Sequence, residues 1–192
     1  MVAQALIDRC IRQERKAQHE LYHALFGLLM GICARYRPDR QEAMALLNAG
    51  FLKILQNLAQ RRPEVPFEPW VRRIMINTVI DDFRQDRERL AMEGAEMPDE
   101  HPEAAVANAY LERMEAEDFA RLLERVPPMS RNVFNLFAID GHSHAEIAAM
   151  LGISTGTSKW HVAHARSILQ KALARPREAG AKGLRLERPL VP

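Results

Sequence analysis

The run from Gly141 to Arg166, GHSHAEIAAMLGISTGTSKWHVAHAR, constrains this chain more than any other stretch. Ile147, Ala148 and Leu151 lie at helical spacing and form an apolar stripe. Gly152 then supplies the permissive backbone that ends a helix in a sharp turn. Ile153 plugs that turn, and Ser154 or Thr155 can cap a second helix. Small residues at Ala148 and Ala149 allow two helices to approach closely. The pattern is that of a helix-turn-helix, whose second helix suits a DNA major groove. A plain helical hairpin has the same spacing.

The second helix is two-sided. Ser158, Val162, Ala165 and Leu169 follow helical spacing and can face a core. Lys159, Trp160, Ala163, His164 and Ser167 fall on the other side, with Arg166 near the rim. A Lys-Trp-His face suits phosphates and base edges better than plain water, although a solvated face with one stray Trp is the bland alternative.

The remainder of the chain is expected to be helical as well. Aromatic residues make up only 6% of the sequence, no long β-branched alternation occurs, and Ala, Leu, Met, Arg, Glu and Gln dominate. These features predict an all-α fold. A net charge of only +2 means that any nucleic-acid surface must come from local patches. Cys10 and Cys33 sit in apolar helical contexts with no metal spacing, which suggests reduced core residues of a cytoplasmic protein. Asp8, Arg9 and Arg12 interrupt any secretory apolar run at the start, and the apolar stretch Leu25 to Ile32 is too short to span a bilayer, so no membrane insertion is expected.

Two helical blocks and a linker account for the organisation. The first block covers about residues 3–90. Ile7 and Ile11 mark one helix, and Leu21, Leu25, Leu28, Leu29 and Ile32 form the stripe of a second. Arg37-Pro38-Asp39 breaks the chain. A third helix, Gln41 to Gln60, turns Leu47, Phe51, Ile54, Leu55 and Leu58 inward. Arg61 to Pro69, with three prolines, reads as a loop, and Pro69 suits the first turn of a helix to about Leu90. That helix has an apolar first half bearing Arg72 and Arg73. Its second half sets Arg84, Arg87 and Arg89 against Asp81, Asp82, Asp86 and Glu88, as either a solvated ion-pair helix or a DNA surface. Residues 91–105 hold two prolines and five carboxylates and read as a flexible acidic linker. Residues 106–174 form the second block, and 175–192 a basic, poorly packed tail.

Taken together, three segments resemble the extracytoplasmic-function sigma factors of the sigma-70 family, in a Bacteroidetes-like form. RKAQHELYHALFGLLMGICARY is similar to the family's opening helices, FEPWVRRIMINTVIDDFR to its promoter-melting helix, and LLERVPPMSRNVFNLFAIDGHSHAEIAAMLGISTGTSK to its −35 domain. The resemblance runs from about Leu6 to Leu173 with the motifs in order. It implies two domains, a sigma region 2 bundle and a sigma region 4 helix-turn-helix, and no enzymatic activity or cofactor.

The implied function is that of an alternative sigma factor that binds core RNA polymerase through the beta-prime clamp and beta flap. Arg61, Arg62, Trp70, Arg72, Arg73, Asn77 and Arg84 would serve the −10 element. In this scheme the loop Arg61 to Phe67 receives a flipped base, Asn77 lies near the first unpaired base, and the arginines hold phosphates. Thr155, Thr157, Lys159, Trp160, Ala163, His164 and Arg166 would meet the −35 element. Ala45, Asn48, Phe51 and Leu52 would lie on the clamp-binding helix. Ala45, Asn48 and Ala49 stand where the family usually has Asp, Gln and Glu, and Trp160, His161 and His164 also depart from its reading helix. These departures keep two alternatives open: a decoy that binds an anti-sigma factor, and a sigma recruited to DNA by an additional factor. A DNA-binding regulator that acts alone is a third reading, disfavoured by the melting helix. An anti-sigma partner is expected in any case. Four histidines, His142, His144, His161 and His164, lack a Cys or carboxylate at ligand spacing. They are expected to serve a hydrogen-bonded turn (the first pair) and a DNA-facing surface (the second) rather than a metal.

Overall fold

The computed structural model describes residues 2–92 and 121–174, all of them in helices or the turns between helices. Residues 93–105 of the expected linker, residues 106–120 of the expected second block and the basic tail, 175–192, lie outside the described residues. Helix α1 (Gln4–Ile11) buries Leu6, Ile7 and Cys10 and leaves Ile11 at the surface. A left-handed residue, Gln13 (φ 63°), redirects the chain into α2 (Arg15–Tyr36). Along α2, Leu21, Leu25, Leu29, Ile32 and Cys33 form the buried stripe, and Leu28 is half-buried at its edge. Burial pushes the Cys33 thiol up to about 12, with Asp82 adding to the shift, so it stays protonated.

Pro38 ends α2, because the residue before a proline is driven out of the helical region; Arg37 takes φ −121° and ψ 102°. Asp39 then caps α3 (Arg40–Asn57) by accepting from the Gln41 and Glu42 amides. The third helix closes in a short 3-10 turn over Leu58–Gln60, slightly earlier in α geometry than the sequence suggests. α4 (Phe67–Met92) starts two residues before the expected Pro69. Pro69 still falls within the first turn, where its missing N–H costs nothing. At the crossing of α3 and α4, Gly50 faces the fully buried Met75, and a side chain on Gly50 would overlap its sulfur.

The second block is built from α5 (Pro128–Phe134), α6 (His144–Leu151) and α7 (Thr155–Ala174). α5 widens at its end into a π-type turn, Asn135–Ile139, which Gly141 at φ 77° releases. A capping box starts α6: the Ser143 hydroxyl accepts from the Glu146 amide while the Glu146 carboxylate accepts from the Ser143 amide. Gly152 at φ 65° and ψ 41° ends α6 in the left-handed conformation expected of it. Of the two candidate caps for α7, Ser154 is the one used, accepting from the Thr157 amide at 2.9 Å. Ser158, Val162, Ala165 and Leu169 are all buried against α5 and α6, as their spacing indicates.

The two blocks also touch. The C-terminal end of α2 meets α5 and its widened turn, and α4 meets α6. Arg35 donates to Asp140 at 2.9 Å, and the Asn135 side chain donates to the Arg35 carbonyl at 2.8 Å. Nothing in the sequence signals these contacts.

Candidate nucleic-acid interface

The first candidate surface lies where α3, the 61–66 loop and α4 converge. Trp70, Arg73 and Asn77 project one turn apart along α4, because i, i+3 and i+4 positions share a helix face. They line a cavity of about 400 Å³ together with Lys53, Asn57, Gln60, Ile74 and Asp81. Arg73 and Asn77 are exposed, whereas Trp70 is half-buried and stacks on Phe67 with ring centroids 5.9 Å apart. Lys53 is paired with Asp81 at 2.8 Å, which braces α3 against α4. A second concavity of about 560 Å³ adjoins it, lined by Gln60, Arg62, Val65, Pro69, Trp70 and Arg73. The indole therefore forms a shared wall between two hollows, each edged by arginine.

The remaining residues expected at this surface are placed differently. Arg61 is half-buried, donates to the Val65 carbonyl at 2.7 Å and to the Gln4 side chain at 3.0 Å, and lies 5.7 Å from the Phe67 ring. It holds the loop in shape, while Arg62 is exposed. Arg72 is exposed and pairs with Glu68 one turn back at 2.8 Å. Arg84 turns away from Asn77 toward the second block and donates to the Met150 carbonyl at 2.7 Å. The acidic second half of α4 makes ion pairs with its neighbours: Arg37 joins Asp82 and Asp86, and Arg89 joins Asp86.

The second candidate surface is the outer side of α7. Thr155 and Lys159 are exposed there, and Thr157, Trp160, Ala163, His164 and Arg166 are half-buried. The Trp160 ring packs on His164 at 4.7 Å and edge-on to His161 at 4.8 Å. His161 is a correction: it is buried, not DNA-facing. The Ser130 hydroxyl of α5 lies 2.9 Å from His161 Nδ1 and 3.3 Å from His164 Nδ1, so one buried hydroxyl ties both rings to α5. Arg166 lies 5.7 Å from the Phe137 ring, where it packs as well as carries charge. His144 opens α6 rather than a turn, with Nδ1 3.0 Å from the Ser158 hydroxyl of α7 and its ring stacked on Phe137 at 4.3 Å. Burial holds its pKa below the ordinary histidine value, with Lys159 and Arg166 adding to the effect. Among the described residues no group of three His, Cys, Asp or Glu side chains could hold a metal.

The third surface is the outer face of α3. Ala45, Asn48 and Ala49 are exposed, Phe51 is half-buried, and Leu52 is 55% exposed. Phe51 packs edge-on against Tyr22 at 5.0 Å rather than pointing fully inward.

Comparison with known proteins identifies the family. Residues 21–89 match Sigma-70 region 2, and residues 116–169 match Sigma-70, region 4. The chain belongs to the sigma-70 family. Region 2 carries the α3 face and the α4 hollows, and region 4 carries the helix-turn-helix. The protein is similar to the RNA polymerase sigma-H factor of Pseudomonas aeruginosa, at 25% identity over 88% of this chain and 93% of the relative. It is also similar to an ECF RNA polymerase sigma factor of Mycolicibacterium smegmatis, at 27% identity over 88% of this chain, which spans 62% of that longer relative. An ECF RNA polymerase sigma-E factor of Haemophilus influenzae is 23% identical over 88% of this chain and 94% of the relative. Among solved structures, the sigma factor RpoE bound to the anti-sigma factor NepR from Bartonella quintana aligns with a TM-score of 0.48 and 21% identity, over 83% of this chain and 98% of that chain. Nothing in these matches ties the protein to Bacteroidetes. Sigma factors are non-catalytic transcription initiation factors, so the protein is not an enzyme. No helix among the described residues is long and apolar enough to cross a membrane.

Proposed function

We propose that the protein is an active alternative sigma factor: it docks on core RNA polymerase in the cytoplasm, opens the −10 element with region 2 and reads the −35 element with region 4. The observation that carries this reading is the convergence of Trp70, Arg73 and Asn77 on one cavity. A plain DNA-binding regulator needs no such hollow. An opener of duplex DNA does, because an unstacked base must be received somewhere to offset the cost of leaving the stack. Arg73 lines it and Arg62 lines the adjoining hollow as exposed phosphate partners, Arg72 is exposed but paired with Glu68, and Arg61 supports the loop from behind. In region 4, Thr155, Thr157, Lys159, Trp160, Ala163, His164 and Arg166 offer the −35 surface.

Core docking uses α3, where Phe51 and Leu52 supply the apolar contact and region 4 meets the beta flap. One observation favours a second reading, a decoy for an anti-sigma factor. Ala45 and Ala49 present no polar group on the exposed α3 face, and the Asn48 amide is engaged by Tyr22. Reconstituted transcription with core polymerase separates the two. Initiation from promoters selected by the protein supports the active factor. Tight anti-sigma binding with neither polymerase capture nor transcripts supports the decoy. A transcript that appears only with an added DNA-bound protein supports recruitment by a further factor.

A further inference from the structure

Near the start of α2 the chain reads His19-Glu20-Leu21-Tyr22-His23, and neither the DNA surfaces nor the docking face uses the two histidines. Residues four apart lie one above the other on a helix, so the two imidazoles share a face. Both side chains are exposed. Their Nε2 atoms face each other at 3.1 Å, with ring centroids 4.4 Å apart. Buried Ala17, Leu21 and Leu25 anchor the opposite face of the same turns, so the backbone that carries the pair is fixed. His23 also meets Tyr22 edge-on at 5.9 Å, and Tyr22 is braced against Phe51 of α3.

An imidazole nitrogen binds zinc and its neighbours among the divalent transition ions at about 2.0–2.1 Å. Two such nitrogens on one tetrahedral ion stand about 3.3–3.4 Å apart, and at a right angle about 2.8–3.0 Å. The separation of 3.1 Å falls between these limits. A ring-to-ring hydrogen bond also suits this distance. It needs a proton on one Nε2, and a bound ion takes the place of that proton. The order His-Glu-x-x-His is that of helical zinc sites in which the glutamate serves as a base for hydrolysis. The setting here is different. Glu20 accepts from Arg9 at 3.3 Å, and no third ligand completes a set among the described residues. Arg15 and Lys16, exposed one turn earlier, repel an ion, but solvent screens them.

We infer that His19 and His23 form a two-imidazole site for a divalent transition ion of the zinc, nickel or copper type, and that the site holds the ion without hydrolytic chemistry. The remaining coordination positions stay open to water or to a donor from another molecule. The helix sets the spacing before the ion arrives, and the unfolded chain does not, so an ion bound here also stabilises the fold. The site is independent of the sigma-factor reading.

Calorimetric titration of the full chain with zinc chloride tests this. One ion per chain is expected. His19→Ala and His23→Ala should each weaken binding by about a hundredfold, because the second imidazole acts intramolecularly. The double variant His23→Ala with Ala24→His keeps all seven histidines of the chain but breaks their spacing. It should bind as weakly as the single variants. Copper(II) read by electron paramagnetic resonance counts the ligands: coupling to two imidazole nitrogens is expected in the wild type and to one in each single variant. Zinc should raise the melting temperature of the wild type alone. Both histidines are exposed, and His19→Gln and His23→Gln repeat the test if an alanine variant loses helix by circular dichroism. Zinc affinity that survives the change of spacing overturns the inference. So does a wild type that binds no more tightly than its single variants, or a copper spectrum with one nitrogen.

Discussion

The Tyr22 hydroxyl donates to the Asn48 side-chain oxygen at 3.1 Å across the α2–α3 packing. The bond turns one end of the Asn48 amide toward α2, on a helix face where Ala45 and Ala49 offer nothing polar. On the proposed reading, docking on polymerase rests on the apolar Leu52 and Phe51. Leu52→Ala should weaken core binding about tenfold or more, since burying a leucine contributes about 1.5–3 kcal/mol. Ala45→Asp combined with Asn48→Gln should tighten binding to a generic bacterial core by about tenfold, the effect of a hydrogen bond to a charged group. Fluorescence titration measures both. Unchanged affinity in the double variant would show that the missing polar groups carry no energy here and would remove the main support for a decoy.

Asn77→Ala and Arg73→Ala should impair promoter opening more than initial binding, because both side chains line the cavity beside Trp70 that is proposed to receive an unstacked base. Permanganate footprinting on duplex and pre-melted templates checks this. The expected defect is about tenfold on duplex DNA and much smaller on pre-melted DNA, from the loss of one charge-assisted or base contact. Equal defects on the two templates would exclude a melting role.

Lys159 is exposed on α7, while Trp160 and His164 pack against one another beside it. Lys159→Ala should weaken binding to all sequences and reduce the slope of log affinity against log salt by about 0.9, the signature of one lost phosphate contact. Trp160→Ala should instead alter base preference by about 1–3 kcal/mol at one position. Selection of bound sequences from a random pool, repeated at two salt concentrations, distinguishes these outcomes; the same selected motif from wild type and from Trp160→Ala would take Trp160 out of the readout.

Region 4 should lose stability in weak acid. Burial lowers the His144 pKa, so the folded state binds this proton less readily than the unfolded chain, whose ordinary value is about 6.5. The stabilisation is therefore complete above that value and is lost as the pH falls through it toward the lower folded value. Glu146 acts at more acidic pH. Its carboxylate accepts from the Ser143 amide and hydroxyl and titrates below the usual glutamate value, so its contribution holds above about pH 4.5 and fades below. Thermal melts from pH 8 to about pH 3 should show both steps, with the first flattened in His144→Gln. Ser143→Ala should lower stability by about 1 kcal/mol at neutral pH through loss of the cap.

Several local features were legible in the sequence because they depend on near neighbours. Gly152 had to be left-handed, and Ser158, Val162, Ala165 and Leu169 had to share a buried face, whatever surrounded them. Periodicity, capping residues and prolines act over one or two turns, so they determined the helices and the helix-turn-helix. Side-chain fates at the candidate sites depend instead on what arrives from elsewhere in the chain. Arg61 and Arg62 are adjacent and identical in type, yet one is tied to Gln4 and Val65 and the other is exposed. His161 and His164 both reach the Ser130 hydroxyl of α5, yet the first is buried and the second only half-buried. Arg84 reads as a phosphate contact until α6 presents its carbonyl end, and Asp140 has no visible purpose until the last turn of α2 reaches it. The sequence by itself determined which helices form and which stripes they bury. Only the tertiary structure decided which charges stay available to DNA, because a hydrogen bond between residues about a hundred positions apart leaves no periodic trace in either partner.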